Sequence, residues 1–256
     1  MGVSPELIQQ ERACAEKFMF EVYPDSGLVA LSQRNVALAE AMIENNSVYM
    51  TKRRTGNASA DGLETALGLL CQALRGEIEL SAADYSQKVE RVVNGIDSVN
   101  STHLNADKVG RAVARDRVLG FERKRLVQCL YDPEGTEYEL FYSLAEPTKG
   151  TKGGRRNPSF ASKFCHHVCL RLFEGEKQQD NYPVYDNIAS AALCKYVEYF
   201  SLDVRVPSRL RGKPFDYPGY RACVDAVIKC AQDEISRTGF DRLVWYYFKG
   251  RMQILS

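Results

Sequence analysis

Apolar residues recur at helical spacing along almost the whole chain, and this pattern most limits what the chain can fold into. A single window, Tyr138-Glu139-Leu140-Phe141-Tyr142 after the turn Asp132-Pro133-Glu134-Gly135, alternates as a strand would, and it fits a short helical turn equally well. The expected class is all-α. Helices are expected over about residues 4–21, 28–45 and 61–75, with another opening at Ser81. One or two basic helices fall within 105–130, and four more lie near 159–173, 187–201, 217–236 and 240–250. Ser4-Pro5 is a start signal with proline at the first helical position, and Ser81 stands three residues before Asp84 as a cap would. The polar segment Thr51–Asn57 and the Gly-, Lys- and Arg-rich segment Pro147–Pro158 read as loops.

A chain of 256 residues suffices for one large domain or for two small lobes around a cleft. Two helical lobes around a central cleft are expected, with 1–146 as an N-terminal helical part and 147–256 as the part that holds the chemistry. Hydrophobic residues make up 45% and charged residues 26%, an ordinary soluble composition. The net charge of +1 supplies no global attraction for a polyanion, so a nucleic-acid partner would have to be met by a local basic patch. Met1-Gly2-Val3-Ser4-Pro5 opens no apolar signal run, and no stretch is long enough to cross a bilayer. A monomer in the cytoplasm, nucleoid or nucleus, without membrane contact and not secreted, is expected.

Eight cysteines raise the question of a metal. Cys165-His166-His167 with Cys169 looks like a ligand cluster, and Cys165 and Cys169 share a helix face. His166 and His167 point elsewhere, and no second ligand pair is evident. No cysteine follows Cys230, so Cys223 and Cys230 cannot open a four-thiolate iron–sulfur loop. Buried reduced thiols, no metal and no cofactor are expected.

Two residues have the character of a reactive pair. Lys163 opens an apolar helical stretch, and Asp186 in Tyr182-Pro183-Val184-Tyr185-Asp186 opens the next helix. The segment from Glu174 to Tyr182 can double the chain back and bring the two together. A lysine beside a carboxylate suits amine nucleophilic chemistry, and apolar neighbours such as Phe160 and Phe164 favour the neutral amine that attacks. Taken singly, Lys163 also fits an exposed lysine at a helix start, and Asp186 fits a simple N-cap. Asp241 and Trp245, the only tryptophan, lie four apart on one helix face; a cap and a core residue are the plainer reading. Lys149, Lys152, Arg155 and Arg156 precede Lys163, with no acidic residue between Lys149 and Lys163. Such a run suits phosphate contact, or simply solvent. Lys52, Arg53 and Arg54, and the series Lys108, Arg111, Arg115 and Arg117, are lesser basic candidates.

Lys163 with the apolar helix after it, and the Pro183-Val184-Tyr185-Asp186 step, resemble the catalytic segment of the helix-hairpin-helix DNA glycosylases, most nearly the 8-oxoguanine branch and its archaeal form. The likeness covers about residues 155–200 and returns near 238–250. It implies a helix-hairpin-helix glycosylase fold. It also implies that Lys163 attacks the sugar carbon carrying a damaged base, and that Asp186 assists. Asp241-Arg242-Leu243-Val244-Trp245 resembles the final helix of the archaeal enzymes, which implies that Asp241 and Trp245 bind the flipped base. Single- or double-stranded DNA with a damaged or modified base is the implied partner, in repair or in defence against viral DNA. The glycine-containing hairpin usual before the lysine is replaced by Arg155-Arg156-Asn157-Pro158-Ser159-Phe160-Ala161-Ser162, which marks a divergent branch. The alternative is a non-catalytic all-α nucleic-acid-binding or regulatory protein, in which Lys163 is exposed and Asp186 only caps a helix.

Overall fold

The computed structural model describes residues 19–24, 26–45, 60–100, 102, 104, 109–148, 156–208, 213–249 and 255. Among these the regular structure is all-α: ten α-helices and no strand, with one isolated antiparallel bridge between Val22 and Val29. The helices are α1 Gln33–Asn45, α2 Ala60–Arg75, α3 Ala82–Asn100, α4 Gly110–Leu119 and α5 Arg123–Tyr131. They continue with α6 Glu139–Ala145, α7 Pro158–Leu172, α8 Asn187–Tyr199, α9 Tyr217–Ile228 and α10 Arg237–Phe248. The chain divides into two compact units. The first takes the described residues of Met1–Asn45, Asn187–Val206 and Ala222–Ser256, and the second those of Asn46–Asp186 and Pro207–Arg221.

In the second unit α7 is the central element, packed against α2, α3, α5 and α6. Its sequence explains that place. Pro158 sits at its first position, where the missing N–H costs nothing. Phe160 to His166, Val168, Cys169 and Leu172 are all buried, so the helix shows apolar character almost all round. Arg75, at the end of α2, donates to the carbonyls of Arg171 and Leu172 and satisfies the open C-terminal end of α7. In the first unit α10 packs against α1 and α8. Ser236 caps α10 by accepting from the Gly239 N–H at 2.9 Å, and Asp233 accepts from the Gln33 N–H at the start of α1.

Three boundaries differ from the sequence expectation for identifiable reasons. The helix expected from residue 28 begins at Gln33. Residues before it form a tight hairpin at Gly27, whose φ of 68° suits glycine, and the Asn35 amide donates to the carbonyls of Glu21 and Ala30. The alternating window at 138–142 is the start of α6. Leu140, Phe141, Leu144 and Ala145 are its buried residues, a helical spacing that shows only beyond the five-residue window. The helix expected over 217–236 stops at Ile228, and α10 starts earlier than expected, at Arg237 behind its serine cap. The helix expected over 4–21 and the loop at 51–57 lie almost wholly outside the described residues. None of the described helices is long and apolar enough to cross a membrane.

Candidate active site

Lys163 occupies the second turn of α7 and is 8% exposed, which excludes the reading of a surface lysine. After Leu172 the chain turns at Gly175, where a φ of 83° again suits glycine, and runs through a 3₁₀ turn at Lys177–Asp180. Asn181 then donates at 2.8 Å to the carbonyls of both Leu130 and Tyr131, tying the return to the end of α5. Residues 182–185 follow without regular structure, and Asp186 stands immediately before α8. This doubling back places Asp186 Oδ2 3.2 Å from Lys163 Nζ, with both side chains mostly buried and both residues in the second unit.

The segment leading to Asp186 is held by an unusual set of donors. Four successive backbone carbonyls each face a side-chain donor. The Tyr182 carbonyl lies 3.0 Å from His166 Nδ1, that of Pro183 accepts from Tyr217 at 2.7 Å, and that of Val184 from Tyr220 at 2.8 Å. The Tyr185 carbonyl accepts from Ser162 at 3.4 Å, and the Tyr185 N–H donates back to the same Ser162 oxygen at 2.9 Å. A carbonyl cannot donate, so His166 carries its proton on Nδ1. Tyr182, its carbonyl engaged, donates its own hydroxyl to the Cys129 carbonyl at 2.8 Å. Burial raises the Tyr182 and Tyr217 phenols well above their ordinary range, so both remain donors at neutral pH. Tyr185 packs its ring on Phe215 and edge-on to Tyr220. Each bond contributes only about 0.5–1.5 kcal/mol net, but a side chain that loses one leaves a buried carbonyl orphaned. Together they engage every backbone carbonyl of residues 182–185.

An amine in contact with a carboxylate has a definite chemical capacity. The carboxylate can accept the proton that the ammonium must lose before it attacks, and it can stabilise positive charge developing next to it. Among the described residues no three potential metal ligands come together. Cys165 and Cys169 are buried free thiols, and burial raises both well above the ordinary thiol range, so they stay protonated and unreactive. The histidine next to Cys165 holds the strap to Asp186 instead.

The basic candidates divide. Lys149, Lys152 and Arg155, like Lys52, Arg53, Arg54 and Lys108, lie outside the described residues. Arg156 pairs with Glu146. Arg117 donates to the carbonyls of Glu146 and Pro147 at 2.8 Å, closing the end of α6, while Arg111 pairs with the buried Asp97 at 2.7 Å and Arg115 with Asp116 at 2.7 Å. These arginines are engaged within the fold.

Asp241 and Trp245 lie in the first unit on α10, both half-buried. Trp245 is only partly covered by the fold. The Lys249 ammonium, one turn further on, sits 4.0 Å from the centre of its ring. Ser162, His166, Tyr217, Tyr220 and Lys249 carry roles here that sequence reading did not assign. Tyr217 and Tyr220 fall on one face of α9 at a three-residue spacing, yet nothing local ties them to a segment more than thirty residues upstream. No protein-family model matches the chain, and neither any curated protein nor any solved structure matches it.

Proposed function

We propose that the chain is a DNA glycosylase with AP lyase activity, acting on a damaged or modified base turned out of the helix. The observation that carries this reading is the contact between the buried Lys163 amine and the Asp186 carboxylate. Asp186 takes a proton from the ammonium. The Lys163 nitrogen then bonds to the sugar C1′, and the N-glycosidic bond breaks with its electron pair leaving on the base, which takes up the proton that Asp186 had accepted. The adduct nitrogen passes a proton through Asp186 to the ring oxygen O4′, and the C1′–O4′ bond breaks to leave an imine. Loss of a C2′ proton expels the 3′ phosphate oxygen and nicks the strand, and water releases the lysine. The burial of Lys163 against a carboxylate supports this reading over the non-catalytic alternative, in which Lys163 is exposed and Asp186 only caps a helix.

On this reading Asp241 and Trp245 bind the extruded base, and Lys149, Lys152, Arg155 and Arg156 meet phosphates; for Arg156 that means leaving Glu146. An oxidised purine and a modified base of viral DNA are the two substrate classes to test. The protein is incubated with duplex and single-stranded oligonucleotides carrying each class of base, with borohydride present. The expected result is a covalent protein–DNA adduct on one class, absent from Lys163→Gln. Neither adduct nor base release on any substrate overturns the proposal.

A further inference from the structure

We infer that Ser162 is a positioning residue for the Lys163–Asp186 pair, setting the reach of the carboxylate through the backbone of Tyr185. The inference rests on the glycosylase reading for its consequence in catalysis, and on geometry alone for its effect on the pair.

Ser162 is fully buried and directly precedes Lys163 on α7. Its oxygen accepts from the Tyr185 N–H at 2.9 Å, and Tyr185 directly precedes Asp186. One hydroxyl therefore joins the two residues that flank the reactive pair. Its proton faces the carbonyls of Tyr185 at 3.4 Å and of Ser159 at 3.2 Å, so the oxygen stays oriented toward the N–H. The route from Lys163 to Asp186 along the chain is 23 residues long, with a glycine turn and a 3₁₀ turn in it. The route through Ser162 is one hydrogen bond. The other three donors hold the carbonyls of residues 182 to 184 and fix the approach. Ser162 fixes its last peptide.

Removing the hydroxyl orphans the buried Tyr185 N–H and lets that peptide move. A displacement of about 1 Å at a reacting group can cost up to about 10²-fold in rate. The test uses a duplex with a preformed abasic site, which needs no knowledge of the base, and measures borohydride trapping under single turnover. Ser162→Ala is compared with wild type and with Val168→Ala, a buried truncation on the same helix that removes no hydrogen bond. Melting temperature sets the folded fraction, and methylation of Lys163 by formaldehyde and cyanoborohydride, read by mass spectrometry, reports how tightly the amine is held.

Ser162→Ala is expected to trap at least about tenfold more slowly per folded molecule and to methylate at Lys163 at least about threefold faster, with Val168→Ala like wild type in both. Trapping within twofold of wild type by folded Ser162→Ala overturns the inference and leaves the proposed function standing. If wild type traps nothing, the lyase reading fails and methylation decides: faster labelling in Ser162→Ala supports the positioning role, and unchanged labelling overturns it. If Ser162→Ala does not fold, Ser162→Cys, whose thiol keeps the side-chain connectivity but is a weak acceptor for the Tyr185 N–H, takes its place under the same criteria.

Discussion

The approach to Asp186 and the exposed side of α10 solve opposite problems. In the second unit, four successive carbonyls are each matched by a buried donor, and Lys163 and Asp186 meet at 3.2 Å with little solvent around them. In the first unit, Asp241 and Trp245 are half-buried, and the face of the indole carries a lysine that water can reach. The first arrangement fixes two atoms at a distance. The second keeps a stacking surface covered without locking it. On the proposed reading this contrast is the expected one: bond-making groups need fixed geometry, whereas a base-binding surface must open to admit its ligand.

The largest effect is expected at the fixed pair. Asp186→Asn retains a good N-cap side chain ahead of α8, so its cost to the fold is that of a weakened contact with Lys163, about 1–3 kcal/mol. Base excision should fall by about 10²-fold or more, because an amide neither accepts the lysine proton nor balances positive charge on the sugar. Thermal melting and single-turnover excision on one sample check this. Excision at the normal rate would reduce Asp186 to a helix cap.

Trp245 supplies the next effect. Truncating a buried aromatic costs about 3–5 kcal/mol of stability, and a half-buried one should cost less. Trp245→Ala is expected to melt close to wild type while binding to lesion DNA weakens by about one to two decades, the loss of one base–aromatic stack of roughly 1–3 kcal/mol. As the sole tryptophan, Trp245 is also its own reporter. Its fluorescence should change on adding lesion duplex and much less with undamaged duplex. A large fall in melting temperature with unaltered affinity would assign it to packing.

The helical class was legible because amphipathic spacing is local, and it survived in nine of the expected positions from α1 to α10 with boundary shifts. The pair Lys163 and Asp186 was legible through the likeness of its segment to a glycosylase and a return segment of the right length; residue type alone fitted a surface lysine and a helix cap. The strap was not. Tyr217 and Tyr220 reach the carbonyls of Pro183 and Val184 across more than thirty residues, and carbonyls have no side-chain signature. His166 was visible only as part of a false metal cluster, since its ring meets a backbone oxygen rather than a second ligand. The arginines of α4 read as a basic face because a sequence shows charge but not the carbonyl and carboxylate partners that absorb it.

The two units offer a matched pair of tyrosines. Tyr217 donates to the Pro183 carbonyl in the second unit, and Tyr196 donates to the Val29 carbonyl at 2.6 Å in the first; burial raises both phenols well above their ordinary range. Each phenylalanine variant orphans one buried carbonyl and should lose about 1–3 kcal/mol. Only Tyr217→Phe should also slow trapping per folded molecule, by up to about tenfold. The raised phenols also set an alkaline limit. Unfolded tyrosines ionise near pH ~10, while these resist ionisation in the fold, so their contribution is complete below about pH 10 and is lost as pH rises through the higher folded values. Denaturant melts from pH 8 to 11 should show that decline, and each variant should decline less steeply than wild type. Equal slowing of trapping by both variants would remove the special status of the strap.

The smallest effect tests whether the cover on Trp245 is a lid or a reader. An exposed cation over an indole is worth about 0.5–1 kcal/mol, and a base that stacks on that face must displace it. Lys249→Gln keeps a flexible polar side chain, one atom shorter, and removes the charge. Loss of a cation weakens binding to lesion and undamaged DNA alike, because phosphates attract it in both. The ratio of the two affinities cancels that common term and isolates the stacking face. If Lys249 only covers the ring, the ratio should rise by about two- to fivefold, the affinity equivalent of the contact no longer displaced. If the ammonium itself reads the extruded base, the ratio should fall. Titrations of both duplexes at one salt concentration distinguish the cases, and a fall would add Lys249 to Asp241 and Trp245 as a residue proposed to recognise the base.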